Sequence, residues 1–201
     1  MASPFPYIHT LHVSPYGKSI PYPKNGQANH GFKNLKCYPD LIDSVPELST
    51  DNSLKSLVVS LNAQSSSFFS IGCFSNVRST LHGLRHQGYI EFAWDCKTCV
   101  QDAIHYFSLY FHFDQFLRTC RFNHRVKLDW LIEEANFCDA NLHGFCCAIF
   151  IDTAPCQITA DAINAWEVSL QTIESFLNTV PQSSSNAIYT TAAPELSKVN
   201  A

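Results

Sequence analysis

Cys96-Lys-Thr-Cys99 and Cys120-Arg-Phe-Asn-His124 are the first residues whose types and spacing could do chemistry. Cys-x2-Cys and Cys-x3-His are both spacings found around zinc. Four ligands must meet within about 2.3 Å of one ion, so the segment between the pairs decides the matter. It reads as a helix. An unbroken helix from Cys99 to Cys120 would hold the pairs roughly 30 Å apart. Cys120, His124, Cys138 and His143 meet the same objection, because a helix across 125–138 would separate their halves by about 20 Å. Cys138, His143, Cys146 and Cys147 form a local cluster that straddles a turn. A zinc site, if the chain has one, is expected there.

Cysteine chemistry of another kind needs a thiolate with a histidine in reach. Cys73 beside Gly72, with His82 and His86 downstream, and Cys147 near His143 are the candidates. Neither carries a nucleophile elbow or an oxyanion glycine pair. Phosphate-cradling glycine motifs, H-E-x-x-H and G-x-S-x-G are also missing. Glu133 and Glu134 are adjacent, which on a helix points them about 100° apart, as on a solvated face. The expectation is therefore a non-enzymatic protein without a cofactor.

A second constellation is basic. Arg118, Arg121, Arg125 and Lys127 fall within ten residues that contain no acid. Arginine's planar fork suits phosphate. Together with Lys33 and Lys36 of the N-terminal segment, these residues are the candidate nucleic-acid contacts. Net charge is −4, so the bulk field does not favour a polyanion, and a local patch would have to do the work.

The elements that must position these groups read as helices. Leu54, Leu57, Val58 and Leu61 recur at helical spacing after a capping Asp51. Phe69, Cys73, Val77 and Leu81 suggest a second helix. Phe92, Cys96, Cys99, Ala103, Tyr106, Tyr110, Phe113, Leu117 and Cys120 step by fours and threes. They predict one long central aromatic helix over about 89–121. Asn123 would cap a fourth helix carrying Val126, Trp130, Leu131 and Ala135. Residues 145–151 are a buried strand or a short core helix, and periodicity does not decide. Ile163, Trp166, Leu170, Ile173, Leu177 and Val180 mark a last helix, with Thr159 as its cap and Pro181 as its stop. The expected fold is all-α: a bundle of four to five helices over 49–180. A Pro/Tyr-rich basic arm (1–48) precedes it, and a flexible polar tail (181–201) follows.

Charged residues are only 15% of the chain, well below the usual quarter, which suits a surface partly hidden against a partner. No signal peptide or membrane-length apolar run is read. The nine cysteines are therefore expected as free thiols in a reducing compartment, cytoplasm or nucleus. The leading expectation is an intracellular protein-interaction or self-assembly protein, virus-encoded or host-directed. The alternatives are a nucleic-acid-binding or coat-like protein and a zinc-stabilised regulatory module. Arm, bundle and tail form a layout similar to that of helical coat proteins of rod-shaped viruses, with no shared motif.

Overall fold

A computed structural model describes residues 6–22, 30–182 and 186–189. It corrects the expected all-α helical bundle: the chain is a mixed α/β fold around one five-stranded sheet. The strands are β1 (Tyr7–Ile20), β2 (Phe68–Thr80), β3 (Gly83–Trp94), β4 (Val126–Phe137) and β5 (Leu142–Thr153). Their order across the sheet is β1-β4-β5-β3-β2, with β1 parallel to β4 and every other pair antiparallel. The helices are α1 (Asn52–Asn62), the short α2 (Lys97–Val100), α3 (Ile104–Leu117) and α4 (Thr159–Leu177). None is long and apolar enough to cross a membrane.

Two of the expected helices are strands and a third begins as one, each for a physical reason. In β4, Val126, Leu128, Trp130 and Ile132 are buried while Lys127, Asp129, Leu131 and Glu133 are less so. That is a period of two, which the helical reading missed because Val126 and Trp130 also sit four apart. The supposed second helix is β2. It ends in a hairpin whose two-residue loop leaves Leu81 fully exposed at the tip. Gly83 closes that hairpin at φ +122°, a conformation side chains disfavour. Gly88 is needed for space: a Cβ there would lie 2.1 Å from the Phe74 carbonyl oxygen and 2.5 Å from the Trp166 ring.

The long central helix is the largest correction. Its first residues, 89–94, belong to β3, whose Ile90–Trp94 end is buried on both faces, which removes the alternation that marks a strand. Asp95 and Cys96 turn the chain. The Asp95 N–H donates to the Ser67 carbonyl, and Cys96 Sγ caps α2. Only 104–117 remains as α3, burying Tyr106, Leu109, Phe113 and Leu117. Residues 145–151 belong to β5.

Two helical expectations match. Asp51 caps α1 by accepting from the Leu54 N–H at 2.9 Å, and Leu54, Leu57, Val58 and Leu61 are buried. In α4, Trp166, Leu170, Ile173 and Leu177 face the core, while Ile163 stays exposed. α1, α3 and α4 cover one face of the sheet. Phe113 packs on Trp130, Trp166 stacks on His86, and the Tyr106 hydroxyl donates to the Phe145 carbonyl.

The N-terminal segment expected as an irregular arm supplies edge strand β1 over residues 7–20. Beyond it, residues 30–48 run beside β2 and α1, with short 3-10 turns at Pro39–Ser44 and Pro46–Leu48. Of the expected tail, Ile188 and Tyr189 are buried, held by the Asp95 carboxylate; residues 190–201 lie outside the described residues. Tyr189 packs on Phe69 and Phe32, so one end of the second sheet face is covered. The rest of that face carries Phe74, Tyr89 and Phe150, one ring after another on β2, β3 and β5. Phe74 and Phe150 are each 40% exposed.

Candidate functional site

Side chains alternate along strands, and the register sets four residues of that second face in a row. Lys18 of β1, Glu133 of β4, Cys146 of β5 and Glu91 of β3 meet between the covered end and the aromatic row. The Lys18 ammonium donates to both Glu91 and Glu133. The Cys146 thiol donates to Glu91 Oε1 at 3.6 Å. Glu91 is 7% exposed. Burial works against charge on Lys18, but Glu91 and then the remaining acceptors outweigh it and hold its ammonium above the ordinary lysine range. Burial pushes the Cys146 thiol well up, and Glu91 pushes it further.

Glu91, Glu133 and Cys146 are the one group of three or more potential metal ligands that gathers among the described residues. Lys18 already supplies a cation to both carboxylates, and a protonated thiol is a poor ligand. The row is an ion cluster closed by an ammonium. Its charge does not balance: two carboxylates face one ammonium.

Two residues of this row, Lys18 and Glu91, also line a cavity of about 380 Å³ at the free edge of β2. Residues 30–48 form the far wall. Tyr22, Tyr89 and Phe74 supply ring surface, Glu91 and Lys18 line the floor, and His30, Lys33 and Glu47 line the wall. His30 Nδ1 and Glu47 Oε1 lie 2.8 Å apart. The Tyr22 hydroxyl is committed to the Ile71 carbonyl at 2.8 Å. Burial and the Glu91 charge push the Tyr22 and Tyr89 hydroxyls up. Cys73 also lines the cavity, its thiol raised by burial to about 12. It is a protonated wall residue at neutral pH, unlike an activated nucleophile.

The sequence-expected metal cluster is not assembled. Cys138 is exposed in a 3-10 turn, and His143 is exposed opposite Asn136 at the start of β5. Cys146 and Cys147 point to opposite faces of β5, because neighbours in a strand do. Cys147 is packed under the helices with its thiol pushed well up by burial.

The basic residues are also dispersed. Arg118 pairs with Asp114 at 2.9 Å at the end of α3. Arg121 and Arg125 are exposed in the following loop. Lys127 begins β4 and pairs with Asp129. Arg125 and Lys127 share a smaller hollow of about 240 Å³ with Arg85 and Asp152. Lys33 lines the main cavity. Lys36 is 3% exposed and donates to the carbonyls of Ala63, Ser66 and Phe68 at 2.8, 2.8 and 2.9 Å. The register puts Val126 beside Thr153, whereas Phe68, where Lys36 is anchored, pairs with Trp94. Those are opposite ends of the sheet, so Lys36 does not extend the basic segment and has no ammonium face to offer a phosphate.

A further constellation went unrecognised in the sequence. Ser75 Oγ lies 2.7 Å from Asp51 Oδ2 and 2.8 Å from His86 Nε2. The order is Asp–Ser–His, with the hydroxyl in the middle. A serine nucleophile needs the imidazole between acid and hydroxyl. Here the hydroxyl donates to Asp51, which also caps α1 and accepts from Trp166 Nε1 at 2.7 Å. The network ties α1, β2, β3 and α4 together. Cys146, Cys73, Lys33 and Glu133 were named from the sequence singly, in other groupings, and the ion row and cavity were missed as units. Lys18, Glu91 and Glu133 are scattered in sequence, and only the strand register joins them.

Comparison with protein-family models, with curated proteins and with solved structures finds no match to this chain. The site's own geometry therefore carries the functional reading.

Proposed function

We propose that this chain is a non-enzymatic binding protein whose site is the cavity at the free edge of β2, continuous with the uncovered aromatic face of the sheet. One observation carries the reading. The cavity combines ring walls with a few convergent polar groups, the composition of small-ligand sites, and about 380 Å³ falls at the small end of their range. Cys73, Cys146, Cys147 and Cys156 all have thiols pushed up by burial, which suits walls better than nucleophiles. The basic segment is at the other end of the sheet and partly paired with acids, which favours this cavity over a phosphate track as the working surface.

The test is an amide-resolved NMR titration with a mixed set of cationic, anionic and neutral small molecules. Shift changes clustered at Gly31, Gly72, Tyr89 and Glu91 are expected. Changes confined to 118–127, or none at all at millimolar ligand, would refute the reading.

A further inference from the structure

Glu91 is nine-tenths buried, and its two carboxylate oxygens have different surroundings. Oε1 takes the Lys18 ammonium and the Cys146 thiol. Among the described residues nothing donates to Oε2. Gly72 keeps the space before that oxygen open: a Cβ there would sit 3.3 Å from Oε2 and 3.1 Å from the Tyr22 hydroxyl. The Tyr22 hydroxyl, already donating to Ile71, cannot serve Oε2 as well. Oε2 opens onto the cavity rather than being sealed in the core, and the row around it has one carboxylate more than it has ammonium groups. A cation that carries N–H donors is the ligand chemistry that complements both features.

We infer that the cavity binds a primary ammonium group, which donates to Glu91 Oε2 while the apolar body attached to it lies along Tyr22 and Tyr89. Rings beside a desolvated cation attract it further through their π faces. The carboxylate pair to the single Lys18 disfavours an anion at this spot, and a neutral hydroxyl would leave the excess charge uncompensated. Glu47 and Lys33 also line the cavity, on the segment of residues 30–48, where Glu47 is paired with His30. The ammonium can belong to a free small amine or to a lysine side chain. This inference rests on the cavity being the working site.

Calorimetric titration of the full chain with four probes tests it: 2-phenylethylamine, N-acetyl-lysine methylamide, 2-phenylethanol and phenylacetate. The amine is expected to bind about 10- to 100-fold tighter than the alcohol, the gain from one charge-assisted bond, and phenylacetate is expected not to bind. Glu91→Gln should abolish the amine's advantage over the alcohol, since Lys18 keeps Glu133 and the fold keeps its cation. Gly72→Ala should weaken both probes by narrowing the space before Oε2, with the thermal midpoint of each variant as a folding control. Binding of the lysine derivative but not of 2-phenylethylamine, or the converse, identifies the source of the ammonium within the inference. Equal affinity for amine and alcohol would overturn the inference and leave the cavity standing as a site. No binding of any probe would overturn both.

Discussion

Replacing Lys36 by Met should cost far more than replacing an exposed lysine such as Lys55. The Met side chain keeps most of the apolar stem and removes the ammonium. In the native structure that ammonium satisfies three carbonyl oxygens in the connection between α1 and β2 and lies 3.7 Å from Asp95 Oδ2. Burial pushes Lys36 below the ordinary lysine range, and Asp95 pulls it back only in part. Asp95 in turn holds the backbone N–H groups of Ile188 and Tyr189. The substitution therefore strands three carbonyls and leaves a buried carboxylate without its cation. Removing one partner of a buried ionic network costs about 3–5 kcal/mol. For a chain of this length that is a fall of roughly 6–20 °C in thermal midpoint. Calorimetry at neutral pH reads it directly. Lys55→Met is the control, because Lys55 and Asp43 form an exposed pair of the kind worth under about 1 kcal/mol. Equal shifts for the two variants would refute the structural role of Lys36 and free its ammonium for the surface role that its sequence neighbourhood suggests.

Acid should destabilise the fold through its buried histidines. Burial lowers the pKa of His9, packed against Tyr110, Phe113 and Trp130, and of His86, stacked on Trp166 at 4.3 Å. Below about pH 6.5 the unfolded imidazoles take up protons that the folded ones refuse. Stability is thus full above pH 6.5 and falls as pH drops from there toward the lowered folded values. His86→Gln should show a smaller fall in melting temperature between pH 7.5 and 5.5, and an unchanged fall would contradict the assignment. Gly88→Ala should lower stability in urea by about 1–3 kcal/mol, because its Cβ meets the Phe74 carbonyl and the Trp166 ring. An unchanged urea midpoint would mean that α4 does not press on β3 as described.

What could be read in the sequence and what could not has a physical basis. α1 and α4 were legible because each is amphipathic against one sheet face; Asp51 also marks the start of α1, whereas Thr159, expected as the cap of α4, is its first helical residue and makes no cap bond. β3 was not, because both of its faces are buried at the Ile90–Trp94 end and a continuous apolar run carries no period. The four-and-three seam from Phe92 to Cys120 is real as a list of apolar positions. It spans a strand, a turn and two helices, each burying its share for a different reason. β4 alternates cleanly from Val126 to Ile132, and the pattern was obscured by Leu131, an apolar residue on the less covered face. For the site, the Cys138–Cys147 cluster is close in sequence but is split between a turn and two faces of a strand. Lys18, Glu91, Glu133 and Cys146 are far apart in sequence and adjacent only through strand register. Parallel pairing of β1 with β4 was needed to bring Lys18 in, and the Pro-rich composition around β1 reads as an irregular arm.

Glu91 is the residue on which the ammonium site depends most directly. A crystal structure of the full chain with 2-phenylethylamine is predicted to place the amine nitrogen within about 2.7–3.2 Å of Glu91 Oε2, with the phenyl ring between Tyr22 and Tyr89. Density for the ligand elsewhere on the molecule, with the space before Gly72 empty, would contradict it.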